Sequence, residues 1–313
     1  MLNQINKLDI VLVSHYLMIF PIYTIAKMRN KKLIFLFHGT KSSLIKKISD
    51  IDSRKFMIIL LERLAILLSS SIVVPSLFAR DYVNSLINPL GKLKRFYIVP
   101  NYVDDEFFRI YSKKSLIAVK KKLNISLEDK IILYSGRIVE NKGLEELIVA
   151  FNTFLSAKEN LRIVIAYPES SSNLNLLNQL KIKIRDLGIS NSVIFITNLR
   201  IPDLIKIYKI SNLIVLFSKL EMAPLVLIEA LASGTPCIAT KVGNAEEILS
   251  KVDKKLILTG KLVPNIVNKF EYFFSLPKIN INLLKKRSRI VAKRYSGLKS
   301  AILFTQILDS SLI

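Results

Sequence analysis

Short apolar runs alternate with amphipathic or polar stretches along the whole chain. Runs at residues 9–14, 33–37, 71–75 and 96–100 have strand length, and each is followed by a helix-like or loop segment. That alternation builds a parallel sheet covered by helices. The pattern resumes at Ile131, where a strand over 131–135 ends in Gly136 and Arg137. After Lys142 and Gly143, the apolar positions Leu144, Leu147, Ile148 and Phe151 fall at helical spacing. Further on, an apolar strand precedes Glu221, and Leu225, Leu227, Ile228 and Leu231 read as core positions of a helix that carries Glu229. Cys237, Ile238 and Ala239 open another strand-like run. Residues 105–130, rich in lysine and short of periodicity, read as a connection between two domains.

Two segments are apolar enough to raise the question of a membrane span. Residues 10–26 carry no Asp, Glu, Lys or Arg, but a compact strand run, a polar turn at His15 and Pro21 at a helix start read as a strand-loop-helix unit. Residues 56–79 are broken by Glu62, Arg63 and a serine cluster at 69–71. No transmembrane helix is expected.

Composition narrows the class. A chain of 313 residues that is 51% apolar has room for two globular α/β domains. Its one cysteine, Cys237, excludes an intramolecular disulfide and reads as buried packing, consistent with a reducing cytoplasm. Two histidines and no cysteine cluster make a zinc site unexpected. The net charge of +23 is uneven: residues 1–130 carry an excess of 12 positive charges, 131–250 of 1 and 251–313 of 10. Anionic lipid headgroups, a phosphorylated acceptor and nucleic acid all suit such basic ends. The stretch 41–63 favours an anionic membrane surface, because Lys46, Lys47, Arg54 and Lys55 stand next to apolar Phe56, Met57, Ile58 and Ile59. No aromatic-basic recognition pattern occurs, so nucleic acid is not expected.

The chemistry concentrates in the nearly neutral middle. A loop running through Ala223, Pro224 and Leu225 into a helix presents backbone N–H groups and a partial positive charge, which suits phosphate or sugar hydroxyls. Glu221 and Glu229 place two acceptors beside it. In the earlier segment, Arg137 can fork a phosphate, Lys142 supplies a point charge, and Gly136 and Gly143 let backbone approach closely.

The ordered set is more specific than any one motif. The strand-Gly-Arg-x4-Lys-Gly segment, the Glu-x7-Glu segment, the run through Ala232, Gly234 and Pro236, and the segment of Val242, Gly243 and Glu247 together resemble the retaining glycosyltransferases of family 4. The resemblance continues more weakly at 36–40 (LFHGT), 73–76 (VVPS) and 99–104 (VPNYVD), where Tyr102 stands in place of a glycine. It implies a GT-B fold of two Rossmann-like domains with parallel sheets. The domains would be an acceptor- or membrane-side domain at 1–122, a nucleotide-sugar domain at 123–280 and a C-terminal helix at 281–313 crossing back to the first. Family members have further strands and a glycine-rich loop before the segment like 8–15. The N-terminal domain is therefore expected to be reduced, completed by a partner chain, or shortened by a misassigned start.

The implied activity is transfer of a sugar from a nucleotide-diphosphate sugar with retention of configuration, without metal or cofactor, at the cytoplasmic membrane face. The implied acceptor is lipid-linked, a glycan or another molecule. Arg137 and Lys142 would neutralise the departing diphosphate, Glu229 would accept from the ribose, and Glu221 with the N–H groups from Met222 to Val226 would hold the sugar. Gly136, Ala223 and Leu225 complete the implied donor site, and His38 would contact sugar or acceptor. Pro224 has no N–H to donate, Met222 stands where a glycine is usual, and the turn after Thr240 reads Gly243-Asn244. Two other readings stay open on the residues: a catalytically impaired subunit that binds nucleotide sugar or a partner chain, and a basic membrane- or nucleic-acid-binding module.

Overall fold

The first four strands form β1 (Ile10–Val13), β2 (Lys32–Leu36), β3 (Ser71–Val74) and β4 (Arg95–Ile98). They pair parallel in the order β1-β2-β3-β4. Parallel neighbours need crossovers, and the intervening helices α1 (Ile19–Met28), α2 (Ser53–Leu68) and α3 (Leu77–Leu86) supply them. All four residues of β3 are buried, as an inner strand covered on both faces requires. Ser76 caps α3 by accepting from the Ala79 N–H at 3.0 Å. His15 has a comparable local role, its Nδ1 accepting from the Leu17 N–H ahead of the turn Tyr16–Met18.

This computed structural model describes residues 10–39, 53–88, 94–155, 160–260 and 263–312. Of the basic stretch 41–63, Lys46, Lys47 and the side chains of Arg54 and Lys55 lie outside the described residues, as do Thr40 and the start of the first expected strand. Contacts divide the chain into two units, one drawn from Met1–Asn101 and Leu298–Ile313, the other Tyr102–Gly297. Among the described residues, no helix is long and apolar enough to cross a membrane.

In the second unit, β5 (Lys130–Ser135), β6 (Leu161–Tyr167), β7 (Val193–Thr197), β8 (Leu213–Leu216), β9 (Cys237–Thr240) and β10 (Ile257–Leu258) form a parallel sheet. The order is β10-β9-β8-β5-β6-β7. Helices α5 (Leu144–Leu155), α6 (Leu174–Asp186), α7 (Ile201–Ile210), α8 (Leu225–Ser233), α9 (Ala245–Leu249), α10 (Val263–Ser275) and α11 (Lys278–Ala292) follow its strands in turn. The chain winds outward from β5 through β6 to β7, then returns to β5's other side to start β8. Ligands of such sheets bind beyond the carboxyl ends of the strands at that reversal.

The connection expected over 105–130 is folded instead. Residues 113–122 form α4 (Lys113–Lys122), capped by Ser112, with Leu116, Val119 and Leu123 against the core. The turn Asp105–Phe108 ahead of it is clamped by two cations. Lys209 Nζ donates to Phe107 O at 2.9 Å and Arg289 Nη2 to Phe108 O at 2.5 Å. Burial, with Arg289 nearby, pulls the Lys209 ammonium down to about 8. The final helix α12 (Gly297–Leu312) follows, and its Ser300 Oγ donates to Pro100 O at 3.1 Å. Tyr102 does not take a positive φ.

Candidate active site

Three loops at the carboxyl ends of β5, β8 and β9 build the site. The β5 loop runs through Gly136 and Arg137 to the turn Glu140–Lys142 and Gly143. The β8 loop carries Phe217 to Pro224, and Pro224 opens α8. They are joined where the Lys219 N–H donates to Asn141 O at 2.7 Å. Gly143, at φ 69°, lies so close to the β8 loop that a Cβ there would come within 2.4 Å of Phe217 O. From the β9 side, Thr240 Oγ1 donates to Ser218 O at 2.7 Å. Gly243 packs beneath the next residues, where a Cβ would sit 2.8 Å from Glu221 O and 2.7 Å from Met222 O. The backbone that presents Glu221 is thus held from both sides by glycines that admit no side chain.

This clamping brings two of the expected residues into contact. Lys142 Nζ and Glu221 Oε1 stand 2.5 Å apart, with side chains 16% and 20% exposed. Arg137 is exposed on the same loop as Lys142, and among the described residues its guanidinium has no ion-pair partner. Its backbone is fixed from below, because the Tyr134 hydroxyl donates to Arg137 O at 2.6 Å. Burial pushes the Tyr134 hydroxyl pKa up, the Glu221 charge adds to the rise, and Arg137 opposes it.

Glu229 sits one turn deeper on α8 and accepts from the Tyr208 hydroxyl at 2.8 Å. Tyr208 is fully buried on α7. Burial raises the Glu229 carboxyl above its usual value, and the Tyr208 hydrogen bond partly offsets this. Because the folded value exceeds the unfolded one, the stability linked to this group is fully present below the ordinary glutamate value of 4.5. It is lost as pH rises through the folded value. Thermal melts of the native chain and Glu229→Gln across this window are expected to diverge in favour of the variant as pH rises. Parallel melting curves would contradict the assignment.

The sequence-expected residues separate as follows. Gly136, Arg137, Lys142, Glu221, Met222, Ala223, Leu225, Val226 and Glu229 all lie on the β5 and β8 loops or the first turns of α8, in the second unit. His38 is exposed beyond the end of β2 in the first unit. Leu225, expected in the core, is 47% exposed, whereas Leu227, Ile228 and Leu231 are buried. It is the first residue of α8, the one exposed position between buried Pro224 and buried Leu227. Met222 is buried, turned in against the protein. Gly234 ends α8 and the chain returns through Pro236 to β9, so this run shapes the turn. Cys237 is buried, which pushes its thiol up and leaves it inert. Among the described residues, no cluster of His, Cys, Asp and Glu is arranged to hold a metal ion.

The sequence alone does not single out Tyr134 or Tyr208, and it offers Gly243 only as part of a motif, without its contact to the Glu221 backbone. A tyrosine on an apolar helix or strand face was the available signal, since a buried hydroxyl needs a partner.

Residues 117–294 match the family described as Glycosyl transferases group 1, and the chain belongs to that family. Its fold is the two-domain GT-B-like α/β architecture with parallel sheets. It is similar to mannosylfructose-phosphate synthase of Agrobacterium fabrum, with 31% identity over 53% of this chain and 37% of the relative. It is also similar to N-acetyl-alpha-D-glucosaminyl L-malate synthase of Bacillus anthracis, with 29% identity over 54% of this chain and 43% of the relative. Each match thus spans less than half of the relative's length. Among solved structures, Anabaena HepE in complex with UDP-glucose superimposes with a TM-score of 0.82, 14% identity, and coverage of 99% of this chain and 80% of HepE. A glycosyltransferase from Rickettsia africae gives a TM-score of 0.83 at 20% identity, covering 99% and 79%.

Proposed function

We propose that the chain transfers a sugar from a nucleotide-diphosphate sugar, with retention of configuration, to a lipid-linked, glycan or other acceptor at the cytoplasmic face of a membrane. The observation that carries this reading is the Lys142–Glu221 pair at the sheet's reversal point, beside exposed Arg137 and the start of α8. Two cations facing one loop suit a diphosphate leaving group, where negative charge develops, and they would neutralise it without a metal. Before the donor enters, Lys142 and Glu221 hold each other in place. On binding, Lys142 turns to the diphosphate and Glu221 accepts from sugar hydroxyls. Glu229, steadied by Tyr208, accepts from the ribose. Pro224 cannot donate, so the backbone contribution comes from Met222, Ala223, Leu225 and Val226. The family membership and the UDP-glucose bound by HepE support this reading. The test is incubation with labelled UDP-, GDP- and ADP-sugars and a panel of acceptors, with the product's anomeric configuration read by NMR. An inverted product would remove the retaining assignment.

The membrane side of the proposal rests on the first unit. Phe56, Met57 and Leu60 are exposed on α2, and the turn Tyr16–Met18, which packs against that helix, carries exposed Leu17 and Met18. The excess of basic residues in this half of the chain would add attraction to anionic lipid. Co-sedimentation with phosphatidylglycerol vesicles is expected to fall as salt rises, and to drop in Phe56→Ser/Met57→Ser. Sedimentation indifferent to anionic lipid and salt would rule this docking out.

A further inference from the structure

A recess of about 160 Å³ opens at the other end of the second sheet, lined by Lys130, Asn212, Phe274, Lys278, Ile281 and Lys285 among others. Lys130 is the first residue of β5, whose far end carries the Arg137–Lys142 loop. The recess is therefore removed from the active-site loops by the length of a strand, roughly 17 Å.

Its electrostatics are unbalanced. Lys278, Ile281 and Lys285 share one face of α11, and Lys130 faces them from the sheet. Among the described residues, no carboxylate lies within 4.0 Å of the three ammonium groups. The neighbouring Asp129 is engaged by Arg162 at 3.0 Å. Lys278 moreover opens a 15-residue helix with no acidic residue in its first turn, where the helix dipole disfavours a cation. Asn212 Oδ1 accepts from the Ile131 N–H at 2.8 Å, so the free part of its amide can only donate. The three lysines thus call for an anion, with the Asn212 amide N–H to support it, and Lys130 Nζ lies 5.6 Å over the Phe274 ring, an apolar wall beside the charges. Lysines act as point charges that suit a phosphate oxygen, and no guanidinium is present to fork a planar carboxylate. The volume equals that of roughly five waters, enough for one phosphoryl group.

We propose that this recess is a second anion site, which takes the phosphoryl group of a small phosphorylated metabolite with its ring or apolar part against Phe274. Occupancy would tie the start of α11 to the first residue of β5, the strand whose opposite end carries Arg137 and Lys142. The proposal is independent of the transferase reading.

Inorganic phosphate at constant ionic strength is the probe, titrated calorimetrically into the full chain. To keep the active-site loops silent, the titration is repeated in Arg137→Ala/Lys142→Met. Saturable phosphate binding is expected to persist in that background and to weaken at least roughly tenfold in Lys278→Gln/Lys285→Gln. The single variant Lys278→Gln, at an exposed helix end where only charge is removed, is expected to weaken it in the same direction and guards against misfolding of the double variant. No saturable binding to the native chain, an affinity unchanged by Lys278→Gln, or complete loss in Arg137→Ala/Lys142→Met would each overturn the proposal.

Discussion

Lys142→Met is expected to lower sugar transfer by roughly 10²- to 10³-fold, the range lost when a preorganised electrostatic group facing developing charge is removed. The reason lies in the placement of the ammonium. Lys142 is held 2.5 Å from Glu221 by loops fixed at Gly143 and Gly243, so only its side chain has to turn for the ammonium to meet a leaving diphosphate beside α8. The loss should fall mainly on kcat, since the charge it offsets grows as the glycosidic bond breaks. Glu221→Gln is the companion variant. It keeps the shape while releasing Lys142, and its loss should fall more on KM because it holds the sugar in ground and transition states alike. A Lys142→Met enzyme with native kcat would remove this residue from the chemistry.

Gly143→Ala is expected to destabilise the second unit by about 2–5 kcal/mol, combining backbone strain with overpacking. At φ 69° an alanine is strained whatever the space, and its Cβ would come within 2.4 Å of Phe217 O and 3.0 Å of Phe217 Cβ. The obstacle is backbone, which cannot rotate away as a side chain can. Relief requires the β5 and β8 loops to separate, so the Lys219–Asn141 bond and the Lys142–Glu221 pair should loosen together. Chemical denaturation measures the first effect and donor affinity the second. An alanine variant with native stability and affinity would mean that these loops do not depend on close approach at Gly143.

How much of this was legible in the sequence depends on how local each feature is. The strands near 33–37, 71–75 and 131–135 were clear because inner strands of parallel sheets are apolar throughout. Arg137 and Glu221 are legible because charge follows closely on an apolar strand, whereas Lys142 and Glu229 are legible only through their spacing in the ordered set of motifs. Gly243 did not reveal its role, since its reason is a contact with Glu221 and Met222 across the chain. Tyr208 looked like one more apolar position on α7, and only folding shows its hydroxyl against Glu229. Helix α4 was hidden by its lysines: KKSLIAVKKK has few apolar residues, and its helical face shows only when Leu123, just past its end, is counted with Leu116 and Val119. Leu225 shows the converse, an apolar residue left exposed because it begins a helix at the site.

The most direct test of the donor site is calorimetric titration and thermal shift of the purified chain with UDP-, GDP- and ADP-sugars, beside Arg137→Ala and Glu229→Ala. At a hundred times its dissociation constant, a bound nucleotide sugar should stabilise the native chain by roughly 2.7 kcal/mol. The account predicts that one of these donors does so, and that neither variant responds at the same concentration. Equal stabilisation of native chain and variants, or none with any of the three donors, would contradict a donor site at the Lys142–Glu221 pair.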